Sequence, residues 1–242
     1  MKQSPFRAIR YKLFHEGKLL RYLTYAIGEI LLIIIGIMLA LQMNNWNEDR
    51  KEQQEFEAYL AQLQVDIRKA ITVNQEIADY LLDRAQRSYE LVVFLEGTNR
   101  SEEALRDFEL NLNRLGQYRS IHLNTGLLGE LLSGKTEVLS RDPILYERSL
   151  DVISTLLDRK EITGHILRNI DAFRSQLSSF YGGRHASVPE MEVFYDLNKL
   201  EASDEFRYLV QSIARRQGTA HTSAKGIIGG LTEFLTLLEE YE

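Results

Sequence analysis

The sequence predicts an all-α fold, in which an N-terminal single transmembrane helix continues into an antiparallel bundle of long helices. Three observations favour this fold. Residues 22–43 are almost entirely apolar, apolar side chains recur with alternating spacings of four and three between Phe56 and Leu81, and later apolar runs follow the same helical period. The strict apolar–polar alternation of a half-buried strand does not compete with these runs.

Residues 22–43 form the predicted membrane span. A helix rises about 1.5 Å per residue, so this segment reaches about 33 Å and can cross a hydrocarbon core of about 30 Å. Residues 30–41 have no polar side chain, and no pair of small residues marks a cleavage site, so we expect an uncleaved anchor. Tyr22, Tyr25 and Trp46 lie where interfacial aromatic residues occur.

Charge differs sharply between the two sides of this span. Residues 1–47 contain six basic and two acidic side chains, and the remainder contains 23 and 33, a net charge of −10. Because Lys and Arg are retained on the cytoplasmic side, residues 1–21 are predicted to be cytoplasmic and residues 44–242 to form an exported domain. An acidic domain without Cys suits the periplasmic side of a bacterial inner membrane and argues against nucleic acid as a partner.

The segment before the span has the pattern of a short interfacial helix. The apolar residues of 5–15 fall on one side of a helix, whereas Arg7, Arg10 and Lys12 lie elsewhere around it. Such a helix would be anchored on the anionic cytoplasmic leaflet by these bases. The alternative is the ordinary basic flank of a membrane anchor.

The repeat that follows the span predicts that the same helix continues to about Leu95. It is heptad-like over nearly four heptads, and no Gly or Pro interrupts it before Gly97. Its apolar face, called here the seam, needs a partner, either a helix of the same chain or another subunit. The seam consists of Phe56, Leu60, Leu63, Ile67, Ala70, Asn74, Ile77 and Leu81.

After Gly97, the second helix is predicted to start with Asn99, because Asn99 followed by Glu102 resembles a capping box. Residues 116–142 are irregular in pattern and contain a short helical candidate at 127–132.

Two more long helices complete the predicted bundle. Asp142 before Pro143 predicts the start of the first, which would run to about Tyr181, because Asp caps helices and Pro fits the first turn. A loop is predicted over 182–189. The last helix is predicted from about Ser203 toward the C-terminus, with a kink at its glycines.

Glu29 is the most informative residue of the span, because a carboxylate inside a bilayer is costly and usually faces protein or water. At 100° per residue, Gly36 and Ala40 lie within 20° of it, and Tyr22 and Tyr25 share this side. Small residues spaced by four let two helices approach closely. We therefore predict an association face at these five residues. The alternative is a glutamate that snorkels to the cytoplasmic headgroups.

Residues 25–48, YAIGEILLIIIGIMLALQMNNWNE, resemble the N-terminal signature of an uncharacterised bacterial family of single-span membrane proteins. In that family a basic leader precedes a YAIGEI…IGI.LALQ.NNWNE anchor, and a helical exported domain follows. A looser likeness extends over residues 123–146. The resemblance implies a membrane anchor and an exported domain, and it implies no activity.

One segment matches a nucleotide-binding pattern. Residues 129–136, GELLSGKT, fit the phosphate-loop pattern G-x4-G-K-[ST]. The context does not fit, because Glu130 would face the phosphates and the preceding residues favour a helix rather than an anion-binding nest. We therefore interpret Gly134 as the C-cap of a short helix and expect no nucleotide as a partner.

Other catalytic and cofactor signals are weak. The five histidines are far apart, and neither a metal-binding spacing nor an activated nucleophile motif occurs, so no metal, cofactor or catalytic residue is predicted. The aromatic residues of the outer helices fall at helical spacing, which favours core packing over a ligand pocket.

Four functions stay open on the sequence alone. The first is a non-enzymatic, self-associating membrane protein, whose exported bundle is a scaffold or docking module for other membrane proteins. The second is a ligand-sensing bundle that signals through a partner, since the cytoplasmic segment is too short for an output domain. The third is an oligomeric pore or proton path that uses Glu29, and the weakest is an outer hydrolase.

Overall fold

A computed structural model describes residues 18–183 and 193–241. The predicted interfacial helix at 5–15, with Arg7, Arg10 and Lys12, lies outside these residues. The chain divides into two compact units, Met1–Ala58 and Tyr59–Glu242. The predicted all-α class is confirmed, with one small hairpin added to it.

The first helix, α1, runs from Lys18 to Glu96, as its uninterrupted pattern predicts. In the first unit, the apolar side chains from Tyr22 to Met43 are exposed. Among the described residues, this is the one helix long and apolar enough to cross a membrane.

The second unit is built on three long helices: α1 from Tyr59 onward, α4 (Pro143–Gln176) and α6 (Asp204–Glu239). The central helix is α6. On one side, its His221 Nδ1 lies 2.8 Å from the carbonyl oxygen of Ala78 in α1, and on the other its Ser223 hydroxyl lies 2.6 Å from that of Thr163 in α4. Both neighbours run antiparallel to α6 and therefore parallel to each other.

Local capping fixes the starts of these helices. Asp142 accepts a hydrogen bond from the N–H of Leu145 at 2.7 Å, and Pro143 occupies the first turn, as predicted. Ser203 caps α6 in the same way through the N–H of Phe206. The glycines at 226, 229 and 230 lie within α6, which is one continuous helix to Glu239.

The predicted start of the second helix was wrong by two residues. Ser101, not Asn99, caps α2 (Glu102–Asn113), and its hydroxyl accepts from the N–H of Ala104 at 3.3 Å. The side chain of Asn99 instead accepts from the N–H of Ser101 at 3.0 Å. Both residues are good caps, but the capping-box pattern favours Asn99, because the third residue after Ser101 is Ala104 rather than Glu or Gln.

The end of α4 and the following loop also differ from the prediction. The helix ends at Gln176 rather than near Tyr181, and a short 3-10 turn leads into β1 (Tyr181–Gly183). This strand pairs antiparallel with β2 (Val193–Tyr195), so residues 182 and 183 of the predicted loop belong to a strand. Two glycines in three residues carry no alternating pattern, which is why the strand was missed.

The hairpin packs on α2. The rings of Tyr195 and Phe108 meet edge to face at 5.5 Å, and the Tyr195 hydroxyl donates to Glu109 at 3.0 Å. Burial, together with the neighbouring carboxylate of Glu109, raises the pKa of Tyr195 to about 12. The chain then forms the short helix α5 (Leu197–Ala202), capped by Asp196, before α6 begins.

Candidate functional site

The predicted association face in the span is uncovered in the single chain. Tyr22, Tyr25, Glu29, Gly36 and Ala40 are all exposed on α1. A Cβ atom added at Gly36 would meet nothing within 4 Å among the described residues. The backbone near Gly36 and Ala40 is therefore open to close approach by another helix.

Trp46 is also exposed, and the same helix continues past it into the acidic stretch at 48–57. Its position just beyond the apolar segment is that of an interfacial anchor.

The seam has the opposite environment. All eight of its residues, from Phe56 to Leu81, are buried. Within the second unit, α1 meets partners from its own chain: Arg68 pairs with Glu239 of α6 at 2.6 Å, and Ser88 donates to Gln217 of α6 at 2.7 Å. Of the two partners that the sequence left open, the structure places a helix of the same chain beside α1.

Asn74, the polar member of the seam, binds the backbone of a distant residue. It is fully buried, its amide nitrogen donates to the carbonyl oxygen of His122 at 2.7 Å, and its amide oxygen accepts from the N–H of His122 at 2.9 Å. Its nitrogen also donates to the carbonyl oxygen of Ala70 at 2.8 Å. One side chain thus satisfies both backbone groups of a residue that belongs to neither helix nor strand.

Two further polar side chains bind the same irregular stretch. The carboxylate of Asp66 accepts from the N–H of Leu127 at 2.7 Å and so caps α3 (Gly126–Leu132) from outside the helix. Gln217, which is fully buried in α6, donates to the carbonyl oxygen of Gln117 at 2.9 Å. Asn74, Gln217 and Asp66 together hold residues 117–127 against the bundle. We call these three side chains the amide clamp, after its two amide members.

Sequence reasoning missed Asp66 and Gln217. The one available signal is a polar residue at a position that helical spacing predicts to be buried, since such a residue needs a partner. Asn74 shows this signal too, but the identity of its partner, 48 residues away, is not encoded locally.

The phosphate-loop match at 129–136 is the end of a helix. Gly134 has a φ of 98°, its N–H donates to the carbonyl oxygen of Leu131, and the N–H of Lys135 donates to that of Glu130 at 3.1 Å. These two bonds are the Schellman arrangement that ends a helix. Since those N–H groups are used within the cap, they are not arranged as an anion nest, and the Lys135 ammonium lies 3.5 Å from the carboxylate of Glu130.

Among residues 18–183 and 193–241, no group of three or more His, Asp or Glu side chains is placed to hold a metal ion. Several charged side chains form pairs with one another or with a tyrosine. The guanidinium of Arg84, with help from Arg87, lowers the pKa of Asp83 through hydrogen bonds. The carboxylate of Asp171 accepts from the hydroxyl of Tyr118 at 2.5 Å and raises the pKa of that tyrosine.

The outer face of the bundle also has a groove. A groove of about 330 Å³ runs between α1 and α6 and is lined by Ala85, Tyr89, Gln211, Ala214 and Arg215. A smaller cavity of about 110 Å³ adjoins it on the α4 side and shares Gln211 and Arg215.

Comparison with known families finds a similarity to a family of unknown function (DUF6090) over residues 29–113. The matched range contains part of the span, the seam and α2. Neither the curated proteins nor the solved structures include a match.

Proposed function

We propose that the protein is a non-enzymatic, self-associating inner-membrane protein whose exported helical bundle serves as a docking module. The observation that carries the proposal is the contrast along α1: the face that contains Glu29 is uncovered, whereas the seam is buried in the single chain. Association through the seam would require the bundle to open. The span, unlike the seam, can therefore be reached by a second copy without any opening of the bundle.

The chemistry of the span supports helix–helix contact. A carboxylate about seven residues inside an apolar segment gains from a hydrogen-bonding partner, and small residues on the same face let the helices approach. Gly36 and Ala40 provide that close approach, and Tyr22 and Tyr25 provide hydroxyl groups near the end of the same face.

The second unit supports the docking role because its core is formed within one chain. The core cluster joins α1, α2, α4 and α6, and the amide clamp fixes the stretch between α2 and α3. A unit that needs no second copy for its core can present its surface to other proteins.

We propose that the N-terminus is cytoplasmic and that residues 44–242 are periplasmic, since the bases of the sequence cluster before the span. A reporter enzyme that is active only after export, fused after Glu242, tests this orientation. We expect an active C-terminal fusion and a silent N-terminal one. The reverse pattern would contradict the orientation.

Glu29 distinguishes a scaffold from a proton path. Glu29→Gln is expected to retain association, because an amide still donates and accepts across the interface at roughly 0.5–2 kcal/mol. Glu29→Lys should weaken association by placing like charges together. Crosslinking of membranes from each variant measures both effects.

Loss of proton flux in Glu29→Gln without loss of the oligomer would favour the proton path. If Glu29→Gln keeps the oligomer but abolishes a proton flux seen in vesicles containing the unmodified protein, the carboxylate functions by ionisation. Equal crosslinking of the Gln and Lys variants would contradict a buried position for Glu29 in the interface.

A further inference from the structure

We propose that the groove between α1 and α6 on the outer face of the bundle binds an acidic segment of another protein. The inference rests on the docking role proposed above and names the chemistry of the partner. Ala85 of α1 and Ala214 of α6 form the floor of the groove, and because both side chains are small, the ridges on either side stand above it.

Two exposed tyrosines lie nearby: Tyr89 lines the groove itself, and Tyr208 lines the adjoining cavity on the α4 side. Tyr89 on α1 and Tyr208 on α6 are each 61% exposed, and the ring of Tyr208 is supported edge to face by Phe173 of α4 at 6.5 Å. Val93, one turn beyond Tyr89 on the same face of α1, is exposed as well. Tyrosine and arginine are, with tryptophan, the residue types enriched among those that contribute most binding energy at protein interfaces.

The charge of the groove determines the class of partner. The charged residues that line it and its adjoining cavity are Arg215 and Arg216. In the sequence of α6, positions 206 to 232 contain no acidic residue, although the chain beyond the span carries a net charge of −10. A local basic groove in an acidic domain is complementary to a short acidic segment, because a long polyanion would be repelled by the rest of the surface.

The same charges disfavour a second copy of this chain as the occupant. A two-fold contact through this groove would bring the arginines of both copies together, with no carboxylate among the residues that line either cavity. We assign the groove to a different protein, with Asp or Glu for Arg215 and an apolar side chain for the alanine floor. A head-to-tail contact with the acidic stretch at 48–57 of a second copy is the rival occupant, and the experiment distinguishes the two.

Photocrosslinking of the full chain in its native membranes tests this inference. A benzoylphenylalanine placed at Tyr89 is the probe, and mass spectrometry identifies the crosslinked peptide. We expect a peptide from another protein with several acidic residues. Arg215→Glu should reduce the crosslinked yield about tenfold, whereas Arg215→Lys should retain most of it.

The matched control is Lys225→Glu, which makes the same charge change at an exposed position of the same helix outside the groove. It should leave the yield unchanged, and thermal unfolding should be alike for all variants. A crosslink to a second copy, to lipid or to a segment without acidic residues would overturn the inference, as would equal yields from Arg215→Glu and Lys225→Glu. None of these outcomes alters the association of the span, which is measured separately.

Discussion

Asn74→Ala is expected to lower the free energy of unfolding of the helical unit by about 2–5 kcal/mol. The substitution leaves the N–H and the carbonyl group of His122 without their buried partner, and each such group costs about 1–3 kcal/mol. The two bonds have ordinary lengths, 2.7 and 2.9 Å, and the side chain of Asn74 that makes them is fully buried. Denaturant unfolding of the detergent-solubilised protein, followed by circular dichroism, measures the change.

Two further variants make the test specific. Gln75→Ala removes a neighbouring amide that donates to the exposed carboxylate of Asp79, and it should change stability by less than about 0.5 kcal/mol. Asn74→Asp keeps an acceptor for the His122 N–H but loses the donor and buries a charge, so it should also be strongly destabilising. If Asn74→Ala were as stable as Gln75→Ala, the amide clamp would not hold residues 117–127.

Gly36→Ile is expected to reduce association of the span at least tenfold, which corresponds to about 1.4 kcal/mol. A branched side chain at Gly36 would hold two helices apart at the point where Gly36 and Ala40 let them approach. Ile34→Leu is the control, because Ile34 is exposed on a different face of the same helix and the change keeps its volume. Crosslinking in membranes compares the two variants with the unmodified protein.

If Gly36→Ile associates as well as Ile34→Leu, the small-residue face is not the contact. Glu29 is then better interpreted as a snorkelling side chain. The seam does not offer an easy substitute, because its eight residues are already buried in the single chain.

The helices that carry strong local signals could be predicted from the sequence. The uninterrupted apolar period gave α1, and the Asp142–Pro143 pair gave the start of α4. The common side of Tyr22, Tyr25, Glu29, Gly36 and Ala40 also follows from the helix, because residues on one helix face are related by a fixed rotation, whereas their role in association stays a prediction. These five residues are exposed on α1, so their environment does not depend on a contact with another helix of the described chain.

Features that depend on distant residues could not be predicted in this way. His122 meets Asn74 across 48 positions, and the groove floor combines Ala85 with Ala214 from two helices. The start of α2 at Ser101 rather than Asn99 depends on how the chain leaves α1, since both residues can cap a helix. In each case the sequence specifies the side chain, and the tertiary fold selects its partner.

The mass of the full chain in a mild detergent tests self-association most directly. One chain has a mass of 28.0 kDa, so native mass spectrometry distinguishes a monomer from any oligomer. We expect a multiple of this mass for the unmodified protein and for Ile34→Leu, and the mass of one chain for Gly36→Ile. A single-chain mass for the unmodified protein, at concentrations comparable to those in the membrane, would contradict self-association through the span.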